Sequence, residues 1–243
     1  LLIENAGTYG NEELLEREQQ KDKKRLGVNL KHMQAGVSFV DWKNAYIDES
    51  VVIGEGTEIG PGVILKGETR IGENCVIGHN TRIEDSIIQA DVEIQSSVIL
   101  KSQIGSGTKV GPFAYLRPNS RIGAGCKVGD FVEVKNSTMG DGAKASHLTY
   151  IGDADVGAGV NLGCGVVFVN YDGKEKHRCV VEDDAFIGCN VNLVAPVHVG
   201  RGAYIAAGST IVSDVEPLAL SIARQRQRDI PGWVQARKDA GKL

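Results

Sequence analysis

The sequence predicts an all-β protein wound as a parallel β-helix of hexapeptide repeats, and three observations predict it. Aliphatic residues recur every six positions, glycine is abundant at 31 residues, and aromatic residues are scarce at 5%. The period is the most specific of the three. Ile47, Ile53, Ile59, Leu65, Ile71, Ile77 and Ile83 follow one another without a break. The run resumes at Ile104, Val110, Leu116, Ile122, Val128 and Val134. It then slips by single residues through Met139, Ala145, Ile151, Val156, Leu162 and Phe168, and closes with Val181, Ile187, Leu193, Val199, Ile205 and Ile211. A packed helix would show spacings of three and four, and a meander would alternate in twos. A strict six instead gives one short strand and one corner per step, with three steps closing a triangular coil. Coils stack at about one strand spacing, roughly 4.8 Å. No coil can bury its aliphatic face alone, so stability comes from stacking.

The repeat divides the chain into three segments. Residues 1–40 are read as a linker helix and junction, 41–215 as the β-helix, and 216–243 as a short C-terminal tail. Within the first, residues 11–27 read as a helix, with Asn11 as cap, acidic residues early, basic residues late, Gly27 as stop, and Leu14 and Leu15 as apolar anchors. Residues 84–103 keep aliphatic character at Ile87, Val92 and Val98 but lose the six-residue register. Residues 169–180, VNYDGKEKHRCV, are a polar insertion between coils, and insertions in a solenoid often line its site.

Bulk composition narrows the class. With 42% hydrophobic residues, 24% charged residues and a net charge of −4, the chain reads as a soluble globular protein without a nucleic-acid footprint. No apolar run approaches a membrane span and no secretory leader is apparent, which points to the cytoplasm. Five cysteines without a C-x-x-C pair predict neither a disulfide framework nor a zinc ribbon. The chain opens on Leu1 rather than methionine, as a piece of a longer protein would.

Against this background KASHLTYIG, residues 144–152, stands out. In the hexad that begins at Ala145, Thr149 takes the fifth, inward position. His147 takes the third and should project from a corner.

The motif KASHLTYIGDADVG, followed by VNLGCG and VNYDGK, resembles the acetyltransferase domain of the bacterial bifunctional N-acetylglucosamine-1-phosphate uridyltransferase / glucosamine-1-phosphate N-acetyltransferase family. The resemblance extends through GPFAYLRP (111–118), VGDFVEVK (128–135), FIGCNVNLVAPVHVG (186–200), AYIAAGST (203–210) and LSIARQRQ (220–227), covering about residues 30–230. It implies a left-handed winding, and transfer of acetyl from acetyl-CoA to the 2-amino group of glucosamine 1-phosphate on the route to UDP-N-acetylglucosamine. It also implies a homotrimer of bacterial, cytoplasmic origin, with each site built from neighbouring subunits.

The site roles come from the same resemblance. His147 is the catalytic base. Glu133 orients or polarises it. Arg117, Lys135, Tyr150 and Lys176 bind the sugar 1-phosphate, and Asn161, Asn170 and Tyr171 contact the sugar. Cys189, Ala207 and Arg224 meet acetyl-CoA, with Arg226 and Arg228 beside the last. No histidine motif accompanies Cys189, so direct transfer is expected rather than an acyl-cysteine intermediate.

Three rival readings remain: a non-catalytic assembly module, an acetyltransferase for another acceptor, and a zinc enzyme on the same scaffold. The last would need three histidines facing one metal, and the five present, His32, His79, His147, His177 and His198, show no close pair. No metal ligand is therefore assigned. Magnesium would belong to the uridyltransferase domain, whose glycine-rich loop and alternating strands and helices have no counterpart before residue 40.

Overall fold

In a computed structural model, which describes residues 8–243 and side chains from residue 12 onward, three parallel sheets of 11, 10 and 9 strands form the three faces of a solenoid. The first strand of each sheet is Ser38–Phe39, Ala45–Ile47 and Val52–Ile53 respectively. Every third strand in sequence pairs with the next coil in register, as Glu58 with Val76 and Ile59 with Ile77 do. The six-residue positions are the core: Ile59, Leu65, Ile77, Ile83, Leu116, Ile151, Phe168 and Ile187 are all fully buried. Small hydroxyl residues close the corners. Thr57 donates to the Gly72 carbonyl at 2.9 Å and accepts from the Cys75 amide at 3.0 Å, so the hydroxyl at this buried corner is satisfied.

The register lapse has a geometric cause. The residues that fill the core through this stretch are Ile83, Ile88, Ile94, Ile99 and Ile104, and the steps from Ile83 to Ile88, Ile94 to Ile99 and Ile99 to Ile104 are five residues long. One residue is lost at each corner, where Asp85, Ser96 and Lys101 take up positive φ of 48°, 41° and 44°. Ile87 is thereby turned outward and Ile88 inward.

The repeat also runs further than the sequence predicts. Its first rung is Ser38–Phe39, and its last is Leu220–Ser221, paired with Tyr204–Ile205. Both boundaries, 41 and 215, therefore move outward. The tail beyond it carries a helix, α2 (Trp233–Asp239), that the sequence reading did not anticipate.

Helix α1 (Thr8–Gln34) is longer than the predicted 11–27. Asn11 lies inside it rather than before it, Gly27 does not stop it, and the chain turns at Gly36 with φ 87°. Tertiary contacts override the local stop signal. Val28 and Asn29 are buried, and Asn29 Nδ2 donates to the carbonyls of Trp42 (2.7 Å) and Ala45 (3.0 Å). Arg25 lies over the Tyr46 ring, 4.8 Å from its centroid. Leu14 and Leu15 are exposed, so the helix is anchored by its C-terminal third. Residues 1–7 of the predicted N-terminal segment lie outside the described residues.

Candidate active site

Two edges of the solenoid gather the residues singled out by sequence, and the outer face of the second sheet lies between them. The first edge follows the strands of the first sheet. There His147, at the end of Lys144–His147, stands level with Asp130 on the preceding coil. The imidazole Nδ1 is 2.6 Å from Asp130 Oδ1. A carboxylate only accepts, so Nδ1 carries the hydrogen and the basic lone pair is on Nε2. The hydrogen bond from His147 holds the Asp130 carboxyl below its ordinary range. His147 projects from the corner with 52% of its side chain exposed, and Thr149 is buried, both as the hexad position predicts.

The register extends this line. Ala145 pairs with Leu162, Leu162 with Ile187, and Ile187 with Ile205. Two residues further along each strand, His147, Cys164, Cys189 and Ala207 therefore form one row along the edge. Arg224 ends it, its Cδ 3.7 Å from where a Cβ on Gly208 would lie. The three residues predicted to meet acetyl-CoA thus share an edge with His147.

The second edge lies between the second and third sheets. Arg117, Pro118, Asn119, Lys135, Asn136, Asp153 and Lys176 line a cavity of about 410 Å³ there. Three cations from three separate places in the chain converge on it. Lys176 arrives from the insertion, which folds on itself through a Tyr171–Lys176 bridge and through the Asp172 carboxylate, which accepts from the amides of Lys174 and Glu175 at 2.7 Å each. Lys135 is held below the usual lysine range, first by the neighbouring Lys176 and then by burial, against the pull of Asp153 at 3.7 Å. Burial alone would push the Asp153 carboxyl up. Hydrogen bonds from Asn136 and Asn170, with Lys135 beside them, bring it below its ordinary value. Tyr150 stands between the edges, its hydroxyl folded over Gly152, where any Cβ would lie 2.4 Å from it.

The expectation for Glu133 is corrected. Its carboxylate accepts from Arg117 Nη1 at 2.8 Å, and the imidazole's partner is Asp130. Glu133 points outward from a strand beside Tyr115 and Tyr150, whereas the imidazole belongs to the corner. The chain does not bring Asn161 or Tyr171 into the basic cavity. Asn161 lies on the first sheet between Lys144 and Phe186, and the Tyr171 hydroxyl donates to its own loop at Gly173 (2.7 Å). Asn170 is buried and supports Asp153 rather than lining the cavity.

Sequence reading missed Asp130, Asn136 and Asp153. A signal for the first existed: Asp130 precedes His147 by 17 residues, one coil in this part of the solenoid. Among the described residues no group of three or more His, Cys, Asp or Glu is placed to hold a metal ion, and no helix is long and apolar enough to cross a membrane.

A three-sided parallel solenoid with hexapeptide corners defines a hexapeptide-repeat protein. The bacterial transferase hexapeptide family (six repeats) matches residues 101–136 and 178–213, and the GMPPB C-terminal domain family matches residues 42–117. The bifunctional protein GlmU of Clostridium novyi (strain NT) is 57% identical over 210 residues, 86% of this chain and 46% of that protein. GlmU of Alkaliphilus metalliredigens (strain QYMF) is 52% identical over 212 residues, 87% of this chain and 46% of that protein. The chain spans about half the length of the curated relatives it matches, and it corresponds to the C-terminal, hexapeptide-repeat half of the bifunctional GlmU proteins. Among solved structures, the UDP-N-acetylglucosamine acyltransferase of Arabidopsis is 17% identical with a TM-score of 0.46, over 86% of this chain and 76% of that one.

Proposed function

We propose that this chain is an acyltransferase that moves the acetyl group of acetyl-CoA onto the 2-amino group of glucosamine 1-phosphate. The observation that carries the reading is the convergence of Arg117, Lys135 and Lys176 on one cavity, at the far side of the face that His147 borders. A sugar phosphate dianion is the ligand such a cluster favours: it relieves the Lys135–Lys176 repulsion and offers acceptor oxygens to the Arg117 guanidinium.

The chemistry follows from the geometry at the other edge. The acceptor amine arrives as an ammonium, and His147 Nε2 takes its proton while Asp130 steadies the resulting imidazolium. The freed nitrogen lone pair attacks the thioester carbonyl carbon. The carbon–sulfur bond then breaks as the CoA sulfur leaves with a proton returned from the imidazolium, and the acylated nitrogen gives up its second proton to the freed imidazole, which passes it to solvent. Acetyl-CoA supplies the activated acetyl group; Cys189, Ala207 and Arg224, on the His147 row, are the residues that would hold it.

The protein is read as a cytoplasmic bacterial homotrimer with its sites between neighbouring copies. Supporting this, Phe113 and Phe131 stack with centroids 5.4 Å apart and, with Leu148, leave an exposed apolar ridge beside the His147 row.

The test is thiol release from acetyl-CoA with glucosamine 1-phosphate, glucosamine and serine as acceptors. Release with the phosphosugar alone supports the reading. Release with an unphosphorylated acceptor alone points to a different acceptor, and none with any acceptor points to a non-catalytic scaffold.

A further inference from the structure

The row that carries His147 also carries two of the five cysteines, and the mechanism proposed above uses neither sulfur as a nucleophile. Leu162 and Ile187 are paired in register, so Cys164 and Cys189, each two residues on and each following a glycine, stand level on adjacent coils. The backbone confirms the level. The Gly163 amide donates to the Ile187 carbonyl at 2.8 Å, and the Asn190 amide donates to the Cys164 carbonyl at 2.8 Å, bracketing the pair. Gly163 permits this approach, since a Cβ there would lie 2.6 Å from the Cys189 nitrogen.

Adjacent coils separate level residues by about 4.8 Å at Cα, within the range of roughly 4.4–6.8 Å that a disulfide spans. In this same row the Asp130 and His147 side chains meet across one coil at 2.6 Å, so neighbouring side chains here can reach one another.

The other three thiols are of a different kind. Cys75, Cys126 and Cys179 are buried, and burial raises each of them, Cys179 up to about 11. Cys189 is exposed and Cys164 half-buried. The chain thus separates three protected sulfurs from two accessible ones that stand side by side.

We propose that Cys164 and Cys189 form a dithiol modification site that closes to a disulfide on exchange with a low-molecular-weight disulfide, and that the closed form obstructs the His147 edge. The exchange balances in two steps. The exposed Cys189 thiolate attacks the small disulfide, forms a mixed disulfide and releases one small thiol. The Cys164 thiolate then attacks Cys189 Sγ, forms the intramolecular bond and releases the second, and the two protons lost by the cysteines end on the two departing thiols. Parallel neighbours hold their Cβ atoms wider than a relaxed disulfide prefers, so the bond is reducible and belongs to the labile, reversible kind. Its position one coil beyond His147 puts it across the row assigned to acetyl-CoA, and that obstruction rests on the function proposed above.

The experiment treats the folded full chain with oxidised glutathione, caps free thiols by alkylation, and digests with trypsin for mass spectrometry. The expected product links residues 145–174 to residues 179–201 through Cys164 and Cys189, with Cys75, Cys126 and Cys179 alkylated only after unfolding. In Cys164→Ser the glutathione adduct should persist on Cys189. A persistent adduct in the unsubstituted chain, or no reaction at Cys189, overturns the site. Acetyl transfer measured after removing the oxidant should be lost and return with dithiothreitol; a cross-linked protein with full activity overturns the obstruction. Because the mass readout needs no turnover, a reduced protein that never transfers acetyl refutes the proposed function while leaving the dithiol test intact.

Discussion

Asp130 and His147 occupy the same level on adjacent coils, and the carboxylate accepts a 2.6 Å hydrogen bond from the imidazole Nδ1. This pairing fixes which ring nitrogen is basic, so the two residues should fail in related ways. His147→Ala is expected to lower kcat by roughly 100-fold or more, the scale of a general-base contribution. Asp130→Asn should lower kcat by less, with little change in the KM for glucosamine 1-phosphate. Steady-state kinetics on both variants check this, and a rate unaffected by His147→Ala would remove that residue from the mechanism.

Glu133 offers a sharper contrast, because two roles for it predict different constants. Its ion pair with Arg117 is about one-third exposed on both sides, and pairs of that kind are worth about 0.2–1 kcal/mol. Glu133→Gln should therefore raise the KM for glucosamine 1-phosphate by at most roughly fivefold and leave kcat alone. Arg117→Ala should raise the same KM by roughly 10- to 100-fold, the loss of a charged hydrogen bond to the phosphate. A large fall in kcat for Glu133→Gln would restore a role at the imidazole.

The five-residue corners can be tested through stability. Ile99 is fully buried, so Ile99→Ala should destabilise the solenoid by about 2–5 kcal/mol. Ile87 lies one position from the buried Ile88 and is 39% exposed, so Ile87→Ala should stay within about 0.5 kcal/mol. Denaturant titrations of the two variants compare them directly, and similar losses would mean that the short corners have been misplaced.

How much of this was legible follows from what a period can and cannot carry. A six-residue repeat fixes which side chain faces inward, and so located the core from Ile47 to Ile83 and from Ile104 to Val134. It says nothing of a corner shortened by one residue, because the compensation lies in backbone φ at Asp85, Ser96 and Lys101 rather than in residue type. Helix α1 overran Gly27 because Val28 and Asn29 find buried partners on the first coil, a tertiary gain that no local stop signal registers. At the candidate site the resemblance supplied Arg117, Lys135 and Lys176, which converge, but also Asn161 and Tyr171, which one chain does not bring to them. Asp130 was hidden only because contacts in a solenoid are written one coil apart, a separation that varies between 16 and 25 residues here and must be counted locally.

Acid should weaken the tie between the insertion and the wall of the solenoid. Arg178 holds Asp155 through Nε at 2.6 Å and a second contact from Nη2, and Nη1 reaches the Asn136 carbonyl at 3.1 Å, tying the end of the insertion to the wall of the basic cavity. The Arg178 hydrogen bonds are the main reason the Asp155 carboxyl sits below its ordinary value of 3.8, against the upward push of burial. A carboxyl with a depressed folded pKa contributes stability that is fully present above its unfolded value and is lost as pH falls through the folded one. Tm should therefore be insensitive to this pair above about pH 5 and decline below about pH 4. In Arg178→Ala the main cause of the depression is removed and only the Thr138 hydrogen bond is left, so Tm should start lower at neutral pH and lose less on acidification. Thermal unfolding of both proteins across that range decides it: parallel declines would show that the Asp155–Arg178 pair carries none of the acid sensitivity.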